Sequence, residues 1–191
     1  TFIGYFQYNF SFENSNYSLA TFFSAVAALG MAYYFDNKGA LTIGITALAS
    51  FIGLSLKIQT LFENAIFNDI QLLVAGIGFG ILLLVWQWFS FKNTIKPHFS
   101  FVLLTFALHV IAISSITGSS QELYWFFYLM ILGAVVYYFY KKSIEFKAIS
   151  WYVFVLLYGY LGFNTLIFKL ISVLDLYQIS EFLIFLMPFY V

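Results

Sequence analysis

The sequence predicts an all-α fold, a polytopic transmembrane helical bundle, and three observations predict it. Six stretches of eighteen or more residues are almost free of charge and follow one another with only short polar breaks. Of 191 residues, 63% are hydrophobic and 8% charged, whereas a soluble domain carries roughly 25% charged residues and about half apolar ones. The lysines, finally, alternate from break to break along the chain. A water-soluble domain of this length cannot hide such an apolar excess, because surface grows too fast relative to volume. The mean hydropathy of +0.93 fits lipid as the surrounding medium.

Residues 1–8 read as the last turns of a preceding span, and a polar loop follows from Asn9 to Tyr17. The first complete span covers about 18–35. Asp36-Asn37-Lys38-Gly39 then reads as a tight turn in which Asn and Gly take positive φ and Asp caps the chain locally. The second span covers about 40–58, and a partly apolar break over 59–69 is expected to lie along the interface. The third and fourth spans, about 70–91 and 99–116, are separated by Lys92, Lys96, Pro97 and His98. A loop from Thr117 to Glu122 precedes the fifth span, about 123–140, which Lys141 and Lys142 end. The sixth runs over about 149–171, and 182–191 begins a seventh that is not completed. Each full segment meets the length of about 17–20 residues that a crossing needs. Strands are excluded because the runs are too long and lack polar/apolar alternation. With Thr1 at the start and Val191 inside an apolar run, the reading expects an internal piece of a longer protein, with truncated spans at both ends.

Orientation follows from the basic residues. Lys38, Lys92, Lys96, Lys141, Lys142 and Lys147 share one side if the chain alternates, and the positive-inside rule makes that side cytoplasmic. Lys57 and Lys169 fall near the other side, at span ends where a long stem can snorkel. Trp86, Trp88, Trp125 and Trp151 also cluster at span ends, as an aromatic belt requires. Gln87, between two of them, is expected in the headgroups.

Composition closes several function classes. Without cysteine there is no disulfide, thiolate metal site or thiol catalysis, and without arginine no guanidinium clamp for phosphate. Eight acids balance eight lysines, and no basic residues interleave the 26 Phe and 15 Tyr, so nucleic acid has no electrostatic footing. Gly76-Ile77-Gly78-Phe79-Gly80 lies inside a span with no strand before it, which argues against a nucleotide loop. No Asp or Glu falls within a complete span, which weakens an ion-coupled transporter.

What is left is a small set of intramembrane polar residues. His109 sits near the middle of the fourth span, where an ionisable group is a functional suspect, or a neutral imidazole bonded to Thr105, Ser114 or another helix. Asn164 and Thr165 lie at comparable depth in the sixth, so His109, Asn164 and Thr165 form a candidate polar site facing the bundle interior. Small residues at four-residue spacing form helix-packing stripes: Ala20, Ser24, Ala28 and Ala32, then Ala40 with Gly44, Ala49 with Gly53, and Gly76 with Gly80.

The stretch from Tyr34 to Ala49, and Lys96-Pro97-His98-Phe99 followed by a span holding His109, resemble segments of bacterial predicted membrane proteins of the domain-of-unknown-function 2157 group. The resemblance implies a polytopic protein with further spans before this region; the group has no established activity, so no catalytic residues carry over from it. The expectation is therefore a multi-pass protein of a bacterial inner membrane, without catalysis, cofactor or metal. Its expected partners are the lipid bilayer and other membrane subunits or copies of itself, not nucleic acid. The alternative is a small-solute or ion transporter or channel with a path near the fourth and sixth spans.

Overall fold

The computed structural model describes residues 17–57, 70–121 and 124–173. The partial spans at 1–8 and 182–191 and the 59–69 break lie outside these residues. The described chain is helical throughout: α1 (Tyr17–Phe35), α2 (Lys38–Lys57), α3 (Ile70–Lys92), a 3-10 turn (Pro97–Phe99), α4 (Ser100–Ser119), α5 (Trp125–Glu145) and α6 (Ile149–Val173). It divides into two units, Thr1–Thr117 and Gly118–Val191.

Among the described residues, three helical stretches are long and apolar enough to cross a membrane: Ile70–Lys92, Pro97–Ser119 and Ile149–Val173. By length and composition these three are supported, and the six complete spans expected from the sequence are not. Leu19–Phe35 and Lys38–Gly53 are shorter apolar helices. α5 is long enough, but Tyr137, Tyr138, Tyr140, Lys141 and Lys142 crowd its second half.

The helices stop where capping stops them, not where hydropathy falls. α1 ends with the Asn37 amide donating to the Ala32 carbonyl at 3.0 Å, across Asp36 at φ 54°. α3 ends with the Ile95 amide on Ser90 (2.9 Å) and that of Thr94 on Phe91 (3.2 Å), with Thr94 at φ 55°. α5 repeats the pattern: Ala148 on Ser143 at 2.9 Å, Lys147 on Ile144 at 3.3 Å, and Lys147 at φ 51°. Each end carries the six-to-one hydrogen bond of a Schellman motif, with a side chain where glycine is usual. α5 therefore runs past Lys141 and Lys142, and a 2.7 Å ion pair between Lys142 and Glu145 lies in its last turn.

The Asp36-to-Gly39 turn reverses the expected roles. Asp36 takes the left-handed backbone, while Asn37 caps α2, its Oδ1 accepting from the amides of Gly39 (2.8 Å) and Ala40 (3.1 Å). That is ordinary N-cap chemistry. The expected loop from Thr117 is also shorter, since α4 continues through Ser119 and Gly118 is buried against the Tyr128 ring.

In the first unit the core sits on α4, where Leu103, Leu104, Ala107, Leu108 and Ala112 are fully buried. α1 packs along α2 through Ala25, Ala32, Leu41 and Ile45, all fully buried. A Cβ on Gly44 would meet Leu29 Cγ at 2.8 Å and its backbone nitrogen at 3.2 Å. α3 lies on α4 through Gly76, whose missing Cβ would strike Ser114, and Gly80, whose Cβ would strike Ile111 and approach the Ala107 carbonyl at 3.4 Å. Gly53 and Gly78 front open space among the described residues. In the second unit α5 pairs with α6, with Gly162 under Leu132 and a fully buried Trp151 held edge-on by Phe139 (6.2 Å) and Phe146 (5.5 Å). Trp151 is thus a packing residue, not part of a lipid-facing belt.

Two outcomes are expected in detergent unfolding experiments. Gly78→Ala and Gly80→Ala share the same gain in helix propensity, about 1 kcal/mol, so their difference isolates packing; Gly80→Ala should be about 1–3 kcal/mol the less stable. Thr94→Gly should raise stability by about 1 kcal/mol, because it removes a left-handed side-chain conformation.

Candidate functional site

Polar side chains converge where the α1–α2 turn meets the α3–α4 turn. Asp36 projects from the first. The second carries Lys96, left-handed at φ 48° before Pro97, and His98 in the 3-10 turn. A residue before proline is already restricted, so two non-glycine left-handed residues here, Thr94 and Lys96, give a tight reversal. It brings Lys96 Nζ to 3.0 Å and His98 Nε2 to 2.8 Å from the same Asp36 Oδ1.

Beneath this clasp the groups are aromatic. Trp86 of α3 donates through Nε1 to the Tyr33 hydroxyl of α1 at 2.9 Å, the two rings lying parallel with centroids 6.2 Å apart. Tyr33 also meets the edge of fully buried Phe99 at 5.4 Å, and Phe99 packs against His98 at 4.6 Å. Buried Ser90 donates to the Ile95 carbonyl, closing the turn from inside. Gln87, 9% exposed, lies in the same interior rather than in a headgroup layer. One helix turn on, Lys92 sits 5.1 Å over the exposed Trp88 ring.

Chemically the arrangement is a clasp. One carboxylate oxygen receives two donors, the Lys96 ammonium and the His98 imidazole, and the Ser90 hydroxyl is engaged by backbone. Among the described residues no group of three His, Cys, Asp or Glu side chains could hold a metal ion. The Lys96 ammonium, hydrogen-bonded to it, holds the Asp36 carboxyl below its ordinary value; partial loss of water opposes this and the His98 charge assists.

The sequence-selected residues fall elsewhere. His109 is half-buried on the α4 stripe Phe101–Thr105–His109–Ile113, whose ends are 45% and 55% exposed, and not on the buried stripe of Leu104, Leu108, Ile111 and Ser115. Thr105 donates to the Phe101 carbonyl at 2.7 Å. In the second unit, Thr165 donates to Leu161 of its own helix at 2.9 Å, while Asn164 is 5% exposed. His109 belongs to one unit and Asn164 to the other, so their pairing is a matter of the sequence reading alone. Lys169 donates to the Ser120 carbonyl at 3.1 Å, just beyond the end of α4.

The clasp was not singled out from the sequence, although a signal existed. Asp36 and the Lys96/His98 pair occupy two turns that lysine alternation assigns to one side, and opposite charges there can meet. Compared with known proteins, the chain matches no family model, no curated protein and no solved structure.

A carboxyl depressed on folding adds stability above its unfolded pKa of about 3.9 and loses it as pH falls through the lower folded value. Wild type should therefore exceed Asp36→Asn in stability at neutral pH. The gap should close below about pH 3.9, measured by thermal unfolding in detergent.

Proposed function

We propose that this chain is a multi-pass integral membrane protein of a bacterial inner membrane, a structural or regulatory component packed with other membrane subunits, and not an enzyme. The carrying observation is the outward apolar surface. Phe23 (68% exposed), Val85 (58%), Ile113 (55%), Phe127 (64%) and Phe163 (60%) stand on five different helices. Large apolar side chains exposed along whole helices are unfavourable in water and cost nothing in hydrocarbon. Helices are also one of the two structures that satisfy every backbone polar group without water.

In this reading all six described helices cross. The tyrosine- and lysine-rich end of α5 has interfacial composition, with Lys141 lying 4.6 Å over Tyr137. Lys38, Lys92, Lys96, Lys141, Lys142 and Lys147 then face the cytoplasm, and the Asp36 clasp joins two turns on that face. The subunit role is supported by close glycine-mediated packing and short turns.

A membrane-impermeant amine reagent applied to intact cells should leave those six lysines unmodified and reach them after lysis. Modification of Lys141, Lys142 or Lys147 in intact cells overturns the orientation. A mild-detergent pull-down that recovers only single copies of the chain overturns the subunit role.

A further inference from the structure

Resting on the membrane reading, we propose that the groove between α5 and α6 binds one acyl chain of an anionic glycerophospholipid from the lysine-bearing leaflet. Two adjoining cavities, about 220 and 360 Å3, share Gly133, Val136 and Gly159 as their floor. A Cβ on Gly133 would meet nothing within 4 Å, and one on Gly159 only Val136 Cγ1 at 3.6 Å. The depth therefore comes from two absent side chains, not from separation of the helices. Leu129 and Leu166 wall one end of the groove. Tyr137 and Tyr140 wall the other.

Length, polarity and shape select the occupant. From Leu129 to Tyr140 the groove follows α5 for about 17 Å at 1.5 Å per residue, close to the ~15 Å that half a ~30 Å hydrocarbon core requires. Apolar walls offer water no partners, so an empty slot of this kind takes up apolar ligands. The two ends differ in charge: Lys169, one turn beyond Leu166, is engaged by the Ser120 carbonyl at 3.1 Å, and a cation lies against the lining only at the tyrosine end. The Lys141 ammonium lies 4.6 Å from the centroid of the Tyr137 ring that lines the groove. Neighbouring Lys142 is paired with Glu145 at 2.7 Å, whereas Lys141 has no ion pair among the described residues. The groove thus runs from hydrocarbon to cation, as a phospholipid runs from tail to anionic head. Tyr137, Tyr140 and Tyr160 stand 60%, 42% and 42% exposed at its rim. They obstruct the flat close approach another helix would need, and a flexible chain passes between them.

The test is native mass spectrometry of the full chain in mild detergent with equal dioleoyl phosphatidylglycerol and dioleoyl phosphatidylcholine. Wild type should retain one phosphatidylglycerol per chain, with about fivefold preference over phosphatidylcholine, the effect of roughly one lysine near a headgroup. Gly133→Leu, whose side chain enters open space, should reduce retention to the level of non-specific adducts at unchanged helix content. Lys141→Gln should keep the acyl chain and erase the headgroup preference, which decides the matter even if the glycine variant misfolds. Unchanged retention in Gly133→Leu, unchanged preference in Lys141→Gln, or disulfide-linked dimers through Gly133→Cys would overturn the assignment, the last in favour of a second copy. Extraction of the chain from membranes by alkaline carbonate would instead overturn the membrane reading itself. Retention in the membrane with no response from either variant sinks only the groove.

Discussion

Close approach of helix backbones at glycine is the constraint on which the rest of the structure depends. The helices are apolar around most of their circumference, so hydrophobicity alone does not choose which face packs. In lipid it contributes little to helix association, and contact quality decides instead. Gly44 under Leu29, Gly76 and Gly80 under Ser114 and Ile111, and Gly162 under Leu132 are where facing side chains settle onto a bare backbone. Each places one helix of a pair, and the buried rows on α4 and α6 follow from that placement. Gly53 and Gly78, chemically the same, meet no described neighbour.

The turns obey a second logic. Asp36, Thr94 and Lys147 hold left-handed conformations that glycine would adopt without strain. Such positions persist when surrounding structure over-determines them. Around Asp36 the cause is visible: its carboxylate gathers Lys96 and His98, and joins the turn after α1 to the turn after α3. Tyr33, Trp86 and Phe99 support the same junction from below. Exposed ion pairs contribute little individually, so the aromatic layer carries more of the holding than the charges do. The α5–α6 turn is secured differently, by the Trp151 ring between Phe139 and Phe146.

Helix positions were legible because they depend on local composition. Spans read at 18–35, 40–58, 70–91, 99–116 and 149–171 differ from the observed helices by a few residues at most. The larger miss, α5 continuing to Glu145, arose because Lys141 and Lys142 end an apolar run without ending a helix; lysine propagates helix well. Membrane-crossing character was less legible than helix. Among the described residues, length and apolarity together single out three stretches. Gln87 and Trp151 show the same limit: polarity and position near a span end suggested headgroups, and packing buried both.

Sequence by itself determined that the described chain is helical, where its helices lie apart from the end of α5, and which turns carry the lysines, because each of these reads out a preference of consecutive residues for solvent or backbone geometry. Tertiary structure alone decided which glycines are contacts, that Asn37 rather than Asp36 caps α2, that Asp36 meets Lys96 and His98, and that a lined groove runs along the α5–α6 pair. Those outcomes depend on residues far apart in the chain, and a helix apolar on nearly every side carries no local record of the face its neighbour will take.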